Sequence, residues 1–146
     1  MPSPITYQVL AGWDTTDAMT DPPFNGDYDD ITADVKKITI TRGKEKEAGT
    51  TLAAICDLNI WNPEGKYSPP NESSPIHDYL IPYKQIKIIA NFNGTPHTIF
   101  YGFIEKYQVK PHWDIQEVMF HCLDGMDFLA RTMICQDNLN LGGLVM

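Results

Sequence analysis

Apolar and polar positions alternate with period two along most of the chain after residue 34. From Lys36 to Arg42, Ile38 and Ile40 alternate with Lys37, Thr39 and Thr41, and from Thr50 to Ile60 the residues Leu52, Ala54, Cys56, Leu58 and Ile60 share one face. Such alternation predicts half-buried strands. A third strand is predicted over Gln85 to Asn93, with Ile86, Ile88, Ala90 and Phe92 together, and Asn93-Gly94 then supplies a pair suited to a tight hairpin turn. The return strand, Thr98 to Val109, is apolar on both faces, with Ile99, Tyr101, Phe103, Tyr107 and Val109 on one and Phe100 and Ile104 on the other. Two apolar faces predict a central strand or one packed against a partner. Lys110-Pro111-His112 interrupts it, and Asp114 to Leu123 resumes as a further antiparallel strand carrying Val118, Phe120 and Cys122. Thr6 to Leu10 adds a strand at the start, whereas Gly12 to Asp34 is too rich in turn residues for an assignment. Near the end the period changes: Asp124 is placed to cap a short helix through Met126, Leu129, Ala130 and Met133.

Between the second and third of these strands lies WNPEGKYSPPNESSP, Trp61 to Pro75, with four prolines, one glycine and three serines in fifteen positions. A flexible linker has no use for Trp61 and Tyr67. The segment reads as an ordered crossover, over residues 61–83, whose prolines reduce the entropy lost on ordering and whose aromatic residues pin it to the rim of the sheet. Its proline-fixed shape also suits it to contact a neighbour. The whole chain is therefore expected to be mainly β, a single domain over 1–146, with 1–34 as an N-terminal arm and turn-rich segment. The architecture expected is a small antiparallel β-barrel or sandwich with a short C-terminal helix.

At 146 residues the chain is long enough for an unstapled core, burying roughly 68–70% of its unfolded surface. No run approaches the roughly 18 apolar residues of a membrane helix, and MPSPITYQVLAG lacks the basic start and apolar stretch of a signal peptide, so neither export nor membrane anchoring is expected. Cys56, Cys122 and Cys135 cannot all pair and lie among apolar neighbours, which predicts reduced, buried thiols. The net charge of -8 opposes stable nucleic-acid binding. Asp27, Asp29, Asp30 and Asp34 crowd one segment, but without the order of ligands in a calcium loop they read as turn-forming, solvated acids.

Nothing in the spacing assembles a catalytic site. Ser68, Ser73 and Ser74 lack a nucleophile-elbow setting, and His77, His97, His112 and His121 are scattered. His121 and Cys122 are strand neighbours pointing to opposite faces, which disfavours a shared metal. Asp57, Glu64, Glu105, Asp114 and Glu117 provide carboxylates without selecting a glycosidase pair. The aromatic set Trp13, Trp61, Tyr67, Tyr79, Tyr83, Phe100, Tyr101 and Trp113 reads first as core and rim packing, and second as a sugar-stacking platform.

Taken in order, Asp30-Ile31-Thr32, Arg42-Gly43, Ala48-Gly49, Gly65-Lys66-Tyr67, Pro69-Pro70-Asn71, Ser74-Pro75, Leu80-Ile81-Pro82, Phe100-Tyr101-Gly102 and Leu123-Asp124-Gly125 form a pattern. It resembles the first domain of phage tail-tip and baseplate hub proteins, the minor tail proteins. The second strand and its loop are longer than that family's compact version, with Ile60-Trp61 preceding Asn62, and hubs of the family usually continue into further domains. The resemblance implies a β-barrel of the tail-tube type that self-associates into a trimeric or hexameric ring. It implies neighbours in the tail tube, the distal tail and the tape-measure protein, a place in the virion tail tip after assembly in the host cytoplasm, and no catalytic residue or cofactor. Partner contacts are expected from Trp61, Tyr67, Pro69, Pro70, Phe100, Tyr101, Leu144 and Val145, and Asp27, Asp29 and Asp30 are expected to face a lumen through which DNA passes. The competing expectation is a carbohydrate-binding β-sandwich for host-surface recognition.

Overall fold

A computed structural model describes residues 4–13, 29–42, 53–110 and 116–126. Seven strands form one antiparallel sheet, curled into a half-barrel. They are β1 (Thr6–Gly12), β2 (Asp29–Asp30), β3 (Val35–Thr41), β4 (Ile55–Trp61), β5 (Lys84–Phe92), β6 (Thr95–Val109) and β7 (Glu117–Asp124), and their spatial order is β2-β1-β5-β6-β7-β4-β3. Short 3-10 turns occupy Thr32–Asp34 and His77–Tyr79. The expected mainly β, barrel-like class is the one observed. Beyond Met126 the expected C-terminal helix lies outside the described residues; at its expected start Asp124 Oδ1 accepts from the Met126 N–H at 3.1 Å.

The concave face holds the core. Val9, Cys56, Leu58, Ile60, Ile86, Ile88, Ile104, Val118, Phe120 and Cys122 are all fully buried, and period two along β4, β5 and β7 puts them there. Phe120 is the hub of an aromatic cluster: the rings of Trp13, Tyr67 and Tyr107 meet it edge-on at 6.1, 5.8 and 4.9 Å between centroids.

β6 is the middle strand, as its two apolar faces predicted, but its faces differ from a strict alternation. Its pairing with β5 shifts between Ile88 and Ile89, and its pairing with β7 shifts between Ile104 and Lys106. Each β-bulge adds one residue and reverses the side-chain phase beyond it. Ile99 thereby packs against the core beside Phe100, and Tyr107 turns inward opposite Phe120, while Tyr101 and Phe103 pair with Lys87 and Gln85 on the convex face.

Two local sequences fix the turns. Asn93 and Gly94 have φ of 50° and 78°, the doubly left-handed geometry of a two-residue hairpin, joining Phe92 to Thr95. Gly102 lies where β6 and β7 approach so closely that a Cβ would stand 2.2 Å from the Leu123 carbonyl oxygen, so only glycine fits.

Candidate interaction surface

The crossover from β4 to β5 passes over β7 and β6 and closes one end of the half-barrel. Its backbone is a staircase of i to i+3 hydrogen bonds: Gly65, Ser68, Asn71, Ser74 and His77 each donate to the carbonyl three residues earlier, at 2.9–3.3 Å. Pro63, Pro69 and Pro75 stand directly after the first residue of a turn, where a fixed φ is favourable and no amide is needed. Side chains lock each step. Asn62, buried, accepts from the Tyr67 N–H at 2.9 Å and donates to Ser68 Oγ at 2.8 Å, and Asn71 Nδ2 donates to the Gly65 carbonyl at 3.0 Å. Ser74 Oγ donates to the Lys66 carbonyl, and Ile76 N–H donates to Ser74 Oγ. Tyr67 then plunges into the core and its hydroxyl donates to Asp34. Burial, then the neighbouring Asp34 carboxylate, pushes its phenol well above the usual range.

These contacts sort the residues expected to touch partners. Tyr67 and Phe100 are 1% and 2% exposed, so both belong to the core and cannot form a contact surface, which corrects the expectation for them. Trp61 ends β4 at 48% exposure, whereas Tyr67 pins the crossover from the core, with Leu80 buried nearer its other end. Pro70 is exposed, Pro69 is half-buried, and Tyr101 lies half-buried on the convex face. Leu144, Val145 and Asp27 lie outside the described residues. Asp29 and Asp30 are exposed, but Asp30 has local work: its carboxylate accepts from the Thr32 N–H at 2.9 Å, from the Thr32 hydroxyl, and from Gln8 Nε2 at 3.1 Å. The Thr32 hydroxyl bond holds the Asp30 carboxyl below its ordinary range. Of the aromatic set, Trp13 joins Tyr67 and Phe100 inside, Tyr79 and Tyr83 are exposed beside Ile81, and Trp113 lies outside the described residues. Tyr83 has φ of 68°, a conformation costing a side-chain-bearing residue about 1–2 kcal/mol, held by its N–H bond to the Ile104 carbonyl.

The sheet leaves a seam where the half-barrel fails to close. One wall is β1, the other is β3, and between them lies a groove of about 480 Å³ lined by Tyr7, Val9, Val35, Ile38, Ile40 and Ile99 among others. β2 covers β1 only at Leu10 and Ala11, and Thr32 and Ile31 bond to Val9. Among the described residues β3 pairs with β4 alone. Sequence reading found the strands of this seam but not the seam, because strand order is set by contacts distant along the chain.

An acidic and histidine cluster sits on the convex face. His121 Nδ1 lies 2.6 Å from Asp57 Oδ1, its cross-strand partner, and Nε2 lies 3.6 Å from Glu105 Oε2. Asp57 thus orients the ring through Nδ1, while Glu105 stands beyond hydrogen-bond distance of Nε2. Cys56 and Cys122 face the opposite side, buried, with burial pushing the Cys56 thiol up to about 12 and the Cys122 thiol well above its ordinary range. Among the described residues no group of three or more His, Cys, Asp or Glu is placed to hold a metal.

No protein-family model and no curated protein matched the chain.

Proposed function

We propose that the chain is a structural subunit of a bacteriophage tail tip or baseplate, a hub or adaptor ring at the end of the tail tube, acting in the virion without catalysis. The observation that carries the reading is the crossover. The residues that make the resemblance to tail-tip hub domains are those that build it: Gly65, Asn71 and Ser74 form its staircase, Tyr67 anchors it, and Leu80 is buried at its end. Asp30 and Thr32 likewise fix the entry to β3. A pattern with that many separate structural tasks is a signature of architecture, not of chemistry.

The open half-barrel supports the reading from a second side. A subunit whose two sheet edges have no further strand among the described residues has surface to place against neighbours in a closed ring. Tail tubes lacking this protein, incubated with the purified chain and imaged by negative stain, will carry density at one end only. Even decoration along the tubes, or none, counts against the proposal.

Host-surface carbohydrate recognition is the second reading, and the exposed rings of Trp61, Tyr79 and Tyr83 favour it. Glycan-array binding by monomer that is lost in Tyr79→Ala would support it over the ring.

A further inference from the structure

We infer that the seam between β1 and β3 is a strand-acceptor site, and that its occupant is an extended acidic peptide segment of a partner protein. The two walls are strand edges with spare backbone groups. On β1, Val9 directs its N–H to Thr32 Oγ1 and its carbonyl to Ile31 N–H, so two residues earlier Tyr7 offers the same outward pair. Among the described residues, nothing pairs with Tyr7 on that side or with the outer edge of β3.

The groove floor suits alternate apolar side chains. Tyr7 and Val9 step along the inward phase of β1 with exposures of 50% and 0%, so the floor deepens along the strand. Across from them Ile38 and Ile40 remain half-buried. An added strand would present every second side chain to this floor and complete the core. Its orientation follows from the sheet. The five antiparallel steps β1-β5, β5-β6, β6-β7, β7-β4 and β4-β3 leave β1 and β3 running in opposite directions. One inserted strand is thus antiparallel to one wall and parallel to the other, and the longer edge of β3, Val35–Thr41 against the single outward pair at Tyr7, takes the antiparallel pairing.

Charge selects the peptide. The chain carries a net charge of -8, yet Val35 to Arg42 holds Lys36, Lys37 and Arg42 with no acid, and Ile5 to Gly12 holds no charge. Lys36 is committed to Glu117 at 2.9 Å, while Lys37 is exposed and makes no ion pair among the described residues. The nearby Asp30 is occupied by Thr32 and Gln8. The lysines and the bulge between Val35 and Lys37 protect only the first end of β3 from indiscriminate pairing; Ile38 to Thr41 stays regular, with no second partner among the described residues.

The test uses the full chain in its monomeric fraction, so ring assembly does not enter the result. A capped ten-residue peptide alternating valine and glutamate is titrated by NMR, beside a valine–lysine peptide and a valine–glutamate peptide N-methylated at alternate amides. Expected are shifts at Tyr7, Val9, Ile38 and Ile40 with the acidic peptide, binding about tenfold weaker with the basic one, and none with the N-methylated one. The exposed substitution Lys37→Glu reverses the charge preference. Equal binding of the N-methylated peptide, preference of the groove for dodecanoate over the acidic peptide, or no shift at millimolar peptide would overturn the inference.

Discussion

Replacing Asn62 by alanine tests whether the crossover is held by its side-chain bonds or merely lies over the barrel end. Asn62 is 5% exposed, and its amide does two jobs: Oδ1 accepts from the buried Tyr67 N–H at 2.9 Å and Nδ2 donates to Ser68 Oγ at 2.8 Å. In Asn62→Ala the Tyr67 amide has no acceptor in reach, at a cost of about 1–3 kcal/mol, and the half-buried Ser68 hydroxyl loses a bond worth about 0.5–1 kcal/mol. The sum is about 1.5–4 kcal/mol, or a fall in Tm of roughly 3–16 °C at about 2–4 °C per kcal/mol for a domain of this size. Urea unfolding followed by tryptophan fluorescence reads this as a lower midpoint at unchanged slope. Ser68→Ala, which removes only the second bond, should cost less than about 1 kcal/mol. Should Asn62→Ala unfold within about 0.5 kcal/mol of the natural chain, the side-chain account of the crossover is wrong.

Three other outcomes follow from the same geometry. Gly102→Ala drives a methyl against the Leu123 carbonyl, so β6 and β7 must part, with a loss of about 2 kcal/mol or more in chemical denaturation. Burial raises the Cys56 thiol from 9.0 to about 12, so the unfolded chain sheds that proton first; stability present below pH 9 should decline as pH rises toward 12, and Cys56→Ala should make the decline measured by urea unfolding shallower, the buried Cys122 keeping the rest. Asp29→Lys on an exposed site should leave folding and assembly intact and slow genome release if that face lines a lumen, read by a timed DNA-ejection assay; unchanged release removes Asp29 from the channel.

Much of the sheet was legible because local alternation and burial agree. β4, β5 and β7 appear within a few residues of their predicted positions, and Asn93-Gly94 makes the predicted hairpin. β4 begins at Ile55 with Ala53 and Ala54 before it, and the predicted Thr50 to Leu52 lie outside the described residues. Tyr107 was misplaced because a bulge at Glu105 reverses the phase, and a bulge leaves no fixed mark in composition. The turn staircase did have a signal: Asn62, Gly65, Ser68, Asn71, Ser74 and His77 recur every third residue, and all but the last are common turn formers. Asp57, His121 and Glu105 meet only through the order β6-β7-β4, which no spacing along the chain encodes. The two-walled seam was hidden for the same reason.

Assembly into a ring is the most direct test of the proposed function. Multi-angle light scattering across a wide concentration range, with negative-stain images of the same fractions, should give three or six times the 16.5 kDa chain mass and particles with a central hole. A 16.5 kDa monomer at every concentration, with no ringed particles, would contradict a self-assembling ring subunit.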